Sequence, residues 1–303
     1  MDERARIFEE ERPRLMGIAY RMLGSVSDAQ DVVQDTYIKW AYQQGAHIEN
    51  PGAWLSRVCT NRCLDRLKSA KKTRLEYVGP WLPDHIQTGF APSAEDRIEA
   101  ASSLTTAFLL LLERLTPKER AAYLLHDIFG MSFDDVALAL EMKPSTCRKL
   151  AARARRFASE ERVRHVPDET HQANLLDAFT EALKTGDTDR LGRVLHADAT
   201  LRADSGGRVV AIRKIIEGVS QLRTFVSSVL APAWADMDVS PQVINGMQGL
   251  VIAKDNDLHA AVSFSCDPRG NIRHIFIVRH PEKLARMKNS RMSVASKGKL
   301  SVC

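Results

Sequence analysis

Cysteine is scarce, and the five present (Cys59, Cys63, Cys147, Cys266 and Cys303) contain no Cys-x-x-Cys pair. An odd, scattered set excludes a disulfide framework and suits a reducing compartment. Cys59 and Cys63 sit one helical turn apart, but no His/Cys pair lies near them in sequence. They read as buried small hydrophobes rather than metal ligands. No run approaches the roughly 20 apolar residues that a membrane span requires. The N-terminus (MDERARIFEEERPR) lacks the apolar core of a signal peptide. The expectation is therefore a cytoplasmic protein without membrane contact, metal or other cofactor. No acid/base pair is fixed by spacing either, so no catalytic residue is assigned and the chain is not read as an enzyme.

What is present is charge, unevenly placed. The 303 residues carry 43 Lys+Arg against 38 Asp+Glu, a net charge of +5, which permits a polyanionic partner without demanding one. Basic residues gather at Arg57–Arg74 and Arg148–Arg164, two separate patches that suit a protein touching nucleic acid at two places.

The most informative stretch is 109–158. Leu112, Leu115, Ala121, Leu125 and Ile128 recur at helical spacing. Thr116-Pro117-x-Glu119 reads as a hydroxyl cap followed by Pro at the first helical position. Gly130 breaks the pattern, and Ser132 opens a short amphipathic helix through Val136, Ala137 and Leu140. A turn at Lys143-Pro144-Ser145 then leads to a third helix, with Ser145 as its expected cap, carrying Arg148, Lys149, Arg153, Arg155 and Arg156. A short helix, a tight turn and a basic helix match the arrangement that lays a recognition helix in the DNA major groove. A helical hairpin with a solvated basic face is the alternative.

Three pieces surround it. Residues 1–75 read as helical throughout. Residues 76–100 hold Gly79-Pro80-Trp81-Leu82-Pro83, Gly89 and Pro92, which exclude a long helix. A Trp-Leu pair bracketed by prolines is a stiff apolar linker expected to dock on something. The helix-turn-helix piece spans 101–165. From 168 to 285 the pattern becomes mixed: helices are predicted at 171–184, 189–195 and 212–230, and strands at 199–203, 208–211, 234–244, 249–253, 259–264 and 272–278. This predicts an α+β fold with a curved antiparallel sheet over helices. Residues 286–303, rich in Ser and Lys, are expected to be without structure.

Asp28-Ala29-Gln30-Asp31-Val32-Val33-Gln34-Asp35-Thr36, then Trp54-Leu55, Asn61 and Leu64-Asp65, then the helix-turn-helix, together resemble an extracytoplasmic-function (group IV) bacterial RNA polymerase sigma factor over about residues 1–160. The resemblance implies two all-α sigma domains, a region 2 bundle and a region 4 helix-turn-helix. It implies binding to core RNA polymerase, through the β′ clamp helices (Asp28, Asp31, Gln34 and Asp35) and the β flap. It also implies promoter DNA as partner. For the −10 element the candidates are Gln44, Asn50 and Asn61 as base pocket and Arg57, Arg62, Arg66 and Lys68 as backbone contacts. For the −35 element they are Ser145, Thr146, Arg148, Lys149 and Arg153, with Arg155, Arg156 and Arg162 as phosphate contacts.

The C-terminal part resembles the SnoaL/NTF2-like α+β cone that one group of these factors appends. Trp81-Leu82-Pro83 matches that group's linker motif. Asp204-Ser205-Gly206-Gly207-Arg208 resembles its Asp-Gly-Gly-Gly-Lys loop, and His280-Pro281-Glu282-Lys283-Leu284 its Asn-Pro-Asp-Lys-Leu tail. The implied role is regulation in cis, through Trp81, Leu82, Pro83, Asp204, Gly206, Gly207, Arg208, Pro281 and Lys283. No dedicated anti-sigma protein is implied, and the cone allows a small apolar ligand. Two other readings stay open. One is a one-component, ligand-sensing DNA-binding regulator. The other is an enzyme of the cone fold using His196, Asp198, Asp204, His259 or His274, residues with no spacing that fixes a pair.

Overall fold

The computed structural model describes residues 3–43, 48–75, 77–86, 102–161 and 166–287. They fall into two compact units. One contains 3–75 and 108–161, and the other contains 77–86, 102–107 and 166–287.

In the first unit, α1 (Glu3–Leu23), α2 (Val26–Ala41) and α3 (Pro51–Leu75) pack on one another. Phe8, Leu15, Ile18, Met22, Val32, Val33, Leu55 and Leu67 supply the buried faces. Ser25 caps α2 by accepting from the Asp28 N–H, and Asn50 Oδ1 accepts from the Ala53 N–H at the start of α3. Trp40 lies against Trp54 with ring centroids 5.5 Å apart.

The helix-turn-helix piece continues the same body through α4 (Thr106–Arg114), α5 (Pro117–Tyr123), a π-helical turn (Leu124–Ile128), α6 (Phe133–Leu140) and α7 (Pro144–Glu161). The start at α5 is a complete capping box: Thr116 accepts from the Glu119 N–H, and Glu119 accepts from the Thr116 N–H. Ser132 caps α6. The expected Ser145 cap is corrected: α7 begins one residue earlier at Pro144, whose fixed φ suits the first helical position, and Ser145 lies inside the first turn. α3 also packs against α6 and α5, so the three-helix bundle and the helix-turn-helix share one core.

The second unit is a six-stranded sheet in the order β2-β1-β6-β5-β4-β3, with α8 (Glu169–Thr185), α9 (Asp189–Val194), α10 (Val219–Phe225) and the short α11 (Ala231–Ala233) packed on it. The strands are β1 (Leu195–Asp204), β2 (Ile216–Glu217), β3 (Asp238–Ile244), β4 (Met247–Lys254), β5 (Asp257–Cys266) and β6 (Ile272–Val278). Three sequence expectations are corrected. The sheet is mixed, because β1 and β6 run parallel. Residues 208–211 form no strand, since Gly206 and Gly207, both at positive φ, turn the chain out of β1 into a loop. The helix predicted from 212 begins only at Val219, after β2 and the positive-φ Gly218. The interior is filled by Phe179, Leu201, Trp234, Leu250, Phe264 and Ile275. After β6 a helical turn over 281–287 buries Leu284 and Met287, and 288–303 lie outside the described residues. No helix among the described residues is long and apolar enough to cross a membrane.

Candidate functional site

Three surfaces take the sequence candidates. The first is the solvent face of α2. Asp31, Gln34 and Asp35 are exposed there, and Asp28 is half-buried at the helix start. Ile38 (46 % exposed) and Tyr42 (78 %) extend the same stripe, at spacings of three and four residues that place them on one face. An acidic stripe ending in exposed apolar side chains fits a basic, amphipathic partner helix.

The second surface is α3. Arg57, Arg66 and Lys68 are exposed, while Asn61 and Arg62 are half-buried. Asn50 is exposed at the start of α3, where its side-chain oxygen caps the helix. Gln44 lies outside the described residues. The exposed cations are not idle. Arg66 donates to Asp28 Oδ1 (2.7 and 3.2 Å) and to Asp31 Oδ2 (3.1 Å), and the bond to Asp28 raises its pKa. Arg57 pairs with Glu141 at 3.0 Å, and Lys68 with Asp65. Solvent-exposed pairs of this kind are worth at most ~1 kcal/mol each, so a phosphate can displace them. Arg66→Gln is therefore expected to change thermal stability by less than about 1 kcal/mol. If Arg66 contacts a single-stranded backbone, the salt slope of promoter opening should fall by about 0.7. An unchanged slope would remove Arg66 from the interface.

The third surface is α7. Cys147, Ala151, Ala154 and Ala158 face the core, leaving Ser145, Arg148, Lys149 and Arg153 exposed and Thr146 half-buried. Arg148 lies over the Phe133 ring at 5.4 Å. That ring stacks in turn on His126 at 3.8 Å. Arg153 meets Glu119 at 3.1 Å. Burial opposes ionisation of Glu119, yet its bonds from Thr116 and the nearby Arg153 hold its pKa below the usual value. Arg155 donates to Asp127 at 2.6 Å. Arg162 lies outside the described residues. Sequence reasoning missed Phe133, Glu119 and Asp127 as partners of these cations, because each touches α7 only across the helix-turn-helix.

The linker dock lies wholly within the second unit. Asp204, fully buried at the end of β1, accepts from the Tyr77 hydroxyl (2.6 Å), the Leu82 N–H (2.9 Å), the Gly206 N–H (3.1 Å) and Lys283 Nζ (2.9 Å). Lys283, 8 % exposed, also donates to the Leu82 carbonyl and meets Asp84 at 3.6 Å. Arg286 closes the set on Asp84 at 2.7 Å. The Lys283 ammonium lies 4.8 Å from the centre of the Trp81 ring. Burial and Asp204 raise the Tyr77 pKa. Ile86 and Asn245 exchange hydrogen bonds, and Asn245 reaches on to Thr106. Gly206 is required: a Cβ there would lie 2.3 Å from His280, at φ +57°. Gly207 faces Val78 in the same way. Leu82 and Pro83 are buried, whereas Pro281 and Arg208 stay exposed, the latter 3.9 Å from Glu282. Among the residues brought together here, Tyr77, Asp84, His85, Asn245 and Arg286 were not legible in the sequence.

The alternative catalytic set does not converge. Asp204 is taken up by the linker, His196 and Asp198 form a 4.0 Å pair with Asp198 87 % exposed, and His274 bonds Thr200 at 2.9 Å.

Comparison with known proteins identifies the family. The family described as Sigma-70 region 2 matches residues 7–73, and the one described as Sigma-70, region 4 matches 105–157. The ECF RNA polymerase sigma factor SigJ of Mycobacterium tuberculosis is 34% identical over 222 residues, 72% of this chain and 70% of that protein. A probable ECF RNA polymerase sigma factor of the same organism, SigI, is 32% identical over 203 residues, 66% of this chain and 70% of that protein. The crystal structure of the Mycobacterium tuberculosis extracytoplasmic function sigma factor SigJ superposes with a TM-score of 0.71 at 28% identity, covering 93% of this chain and 98% of that one.

Proposed function

Since the chain belongs to the extracytoplasmic-function family of RNA polymerase sigma factors, we propose that its three surfaces divide the work of transcription initiation. The α2 stripe of Asp28, Asp31, Gln34 and Asp35 takes the clamp helices of core polymerase, and the helix-turn-helix takes the β flap. The exposed cations of α3, with Asn61, hold the opened −10 strand, where a single-stranded backbone needs positive charge along a groove. Arg148 and Lys149, in the early turns of α7, meet the −35 base edges, and Arg153 joins them on release from Glu119. The observation that carries this reading is the α2 stripe: three polar side chains and Ile38 stand exposed on a helix whose opposite face is fully packed.

The second unit acts in cis through the linker. A separate anti-sigma protein is then not required. The interior of the sheet is filled by Phe179, Trp234 and Phe264, so this reading rests on the linker and not on an apolar ligand in the cone.

Run-off transcription with bacterial core polymerase on the promoter of the chain's own operon tests the assignment. Initiation at one defined start is expected with the wild type. Asp31→Ala with Asp35→Ala should weaken association with core polymerase about tenfold, in line with ~1.4 kcal/mol lost from interfacial charge pairs. Tight, steeply salt-dependent binding of the free chain to duplex DNA, without initiation, would favour a one-component regulator instead.

A further inference from the structure

The linker dock buries an imidazole whose two ring nitrogens nothing among the described residues satisfies. His85 is 5 % exposed, and both its ring nitrogens are buried without a hydrogen-bond partner. A buried polar group left in that state destabilises the arrangement that holds it. Among the described residues, four charges next to it balance. Asp84 on its own segment and Asp204 at the end of β1 supply two negative charges. Lys283 and Arg286, from the turn after β6, supply two positive ones. Tyr77 and His280 belong to the same dock, stacked on each other with centroids 6.4 Å apart, and His280 too has one ring nitrogen, Nδ1, buried without a hydrogen bond. A proton added to His85 would place a third cation, unpaired, in this dry cluster beside Lys283.

We propose that His85 makes the linker dock an acid-sensitive latch: the docked linker excludes the proton, and the released linker takes it up. The role of the released linker in transcription rests on the cis-regulation proposed above, but the latch itself does not.

The direction follows from proton linkage. Burial, then the Lys283 charge, pushes the docked His85 pKa down from 6.5 to about 3, with Asp204 opposing. Above the ordinary histidine range neither state holds the proton, and docking is unaffected. As pH falls below 6.5 only the released linker is protonated, so docking weakens about tenfold per unit until the docked ring itself titrates. Between pH 7.5 and 5.5 the opening constant should rise about tenfold.

Hydrogen–deuterium exchange of the full chain, corrected for intrinsic exchange rates, reads this directly. The reporters are the Leu82 N–H, held by Asp204, and the Ile86 N–H, held by Asn245. In the wild type, exchange of the 77–86 segment should accelerate about tenfold beyond the intrinsic correction from pH 7.5 to 5.5, while the strands β4 and β5 stay protected. His85→Phe and His85→Gln, an apolar and a polar replacement that cannot titrate, should each abolish that dependence. A wild-type linker without the acceleration overturns the proposal, as does one whose acceleration persists in whichever variant folds. Transcription does not enter the readout, so failure of the latch and failure of the sigma assignment are distinguishable.

Discussion

Lys283→Met is expected to destabilise the second unit by about 3–5 kcal/mol at neutral pH. The methionine fills most of the volume and keeps contact with Trp81. It cannot donate to Asp204, to the Leu82 carbonyl or toward Asp84. Asp204, with no exposure to water, would then carry its charge on the neutral donors Tyr77, Leu82 and Gly206 alone. Removing one partner of a buried pair costs far more than the pair contributes, because the other charge stays behind unsolvated. Thermal unfolding followed on the full chain should show the second unit melting earlier. The pH dependence separates this cause from simple loss of packing. In the variant, burial would favour the neutral Asp204 acid, so the folded state would bind a proton the unfolded state releases. The deficit should therefore shrink as pH drops from 7 toward 5. Lys283→Met with Asp204→Asn should recover part of the loss at all pH values. A deficit independent of pH and of Asp204 would refute the charge argument.

Arg120→Leu is expected to loosen the first unit at the place where α5 meets α1 and α3. Arg120 is 3 % exposed, donates to the Met22 carbonyl at the end of α1, and pairs with Glu113 at 2.9 Å. Burial lowers its pKa to about 10. Leucine replaces the stem but leaves Glu113 and the Met22 carbonyl without this donor, a cost of about 3 kcal/mol. Cys63 reports the result. It is buried, its thiol pKa is raised by burial and by Cys59, and Arg120 is near enough to influence it. Modification of Cys63 by a thiol reagent, located by mass spectrometry, should accelerate on the order of 100-fold, the equivalent of that free energy. Arg120→Leu with Glu113→Leu should restore protection at least in part. Unchanged labelling in a folded Arg120→Leu protein would show that this contact does not hold the body shut.

Such opening matters because of distance. Two promoter elements separated by two or more turns of duplex lie upwards of roughly 70 Å apart, at about 34–36 Å per turn. A compact body of about 130 residues is only some 40 Å across. If the two surfaces engage both elements at once, as proposed above, the bundle and the helix-turn-helix must part, and the Arg120–Met22 and Arg57–Glu141 contacts would belong to the unengaged form.

Much of this was legible in the sequence because the signals are local. Thr116-Pro117-x-Glu119 and Ser132 specify helix starts within four residues of themselves, and the structure uses both as caps. The α2 stripe follows from helical spacing alone. The parallel β1–β6 pair was hidden because its partners lie some 70 residues apart, and strand direction leaves the two-residue alternation of side chains unchanged. The 208–211 run is apolar enough to suggest a strand, but the turn at Gly206-Gly207 carries it away from the sheet edge. The dock was visible only as a resemblance in short motifs. Asn245 precedes Gly246, a pair that signals a turn, and nothing in its neighbourhood announces a bond to Ile86, 159 positions away. Asp84 and His85 lie in a segment without periodicity, so their burial had no sequence signature.

The span of the Lys283–Leu82 contact, 201 positions, also sets a timetable. Leu82 leaves the ribosome long before Lys283 is made, at synthesis rates of ~5–20 residues per second some 10–40 seconds earlier. Within that interval the helix-turn-helix and then β1 are made, while the linker lacks the C-terminal turn and its Lys283 until the end. On the proposed latch, the nascent chain stays unlatched until Lys283 is made. An early-terminated product lacking residues beyond about 280 would keep the newborn state for its whole lifetime.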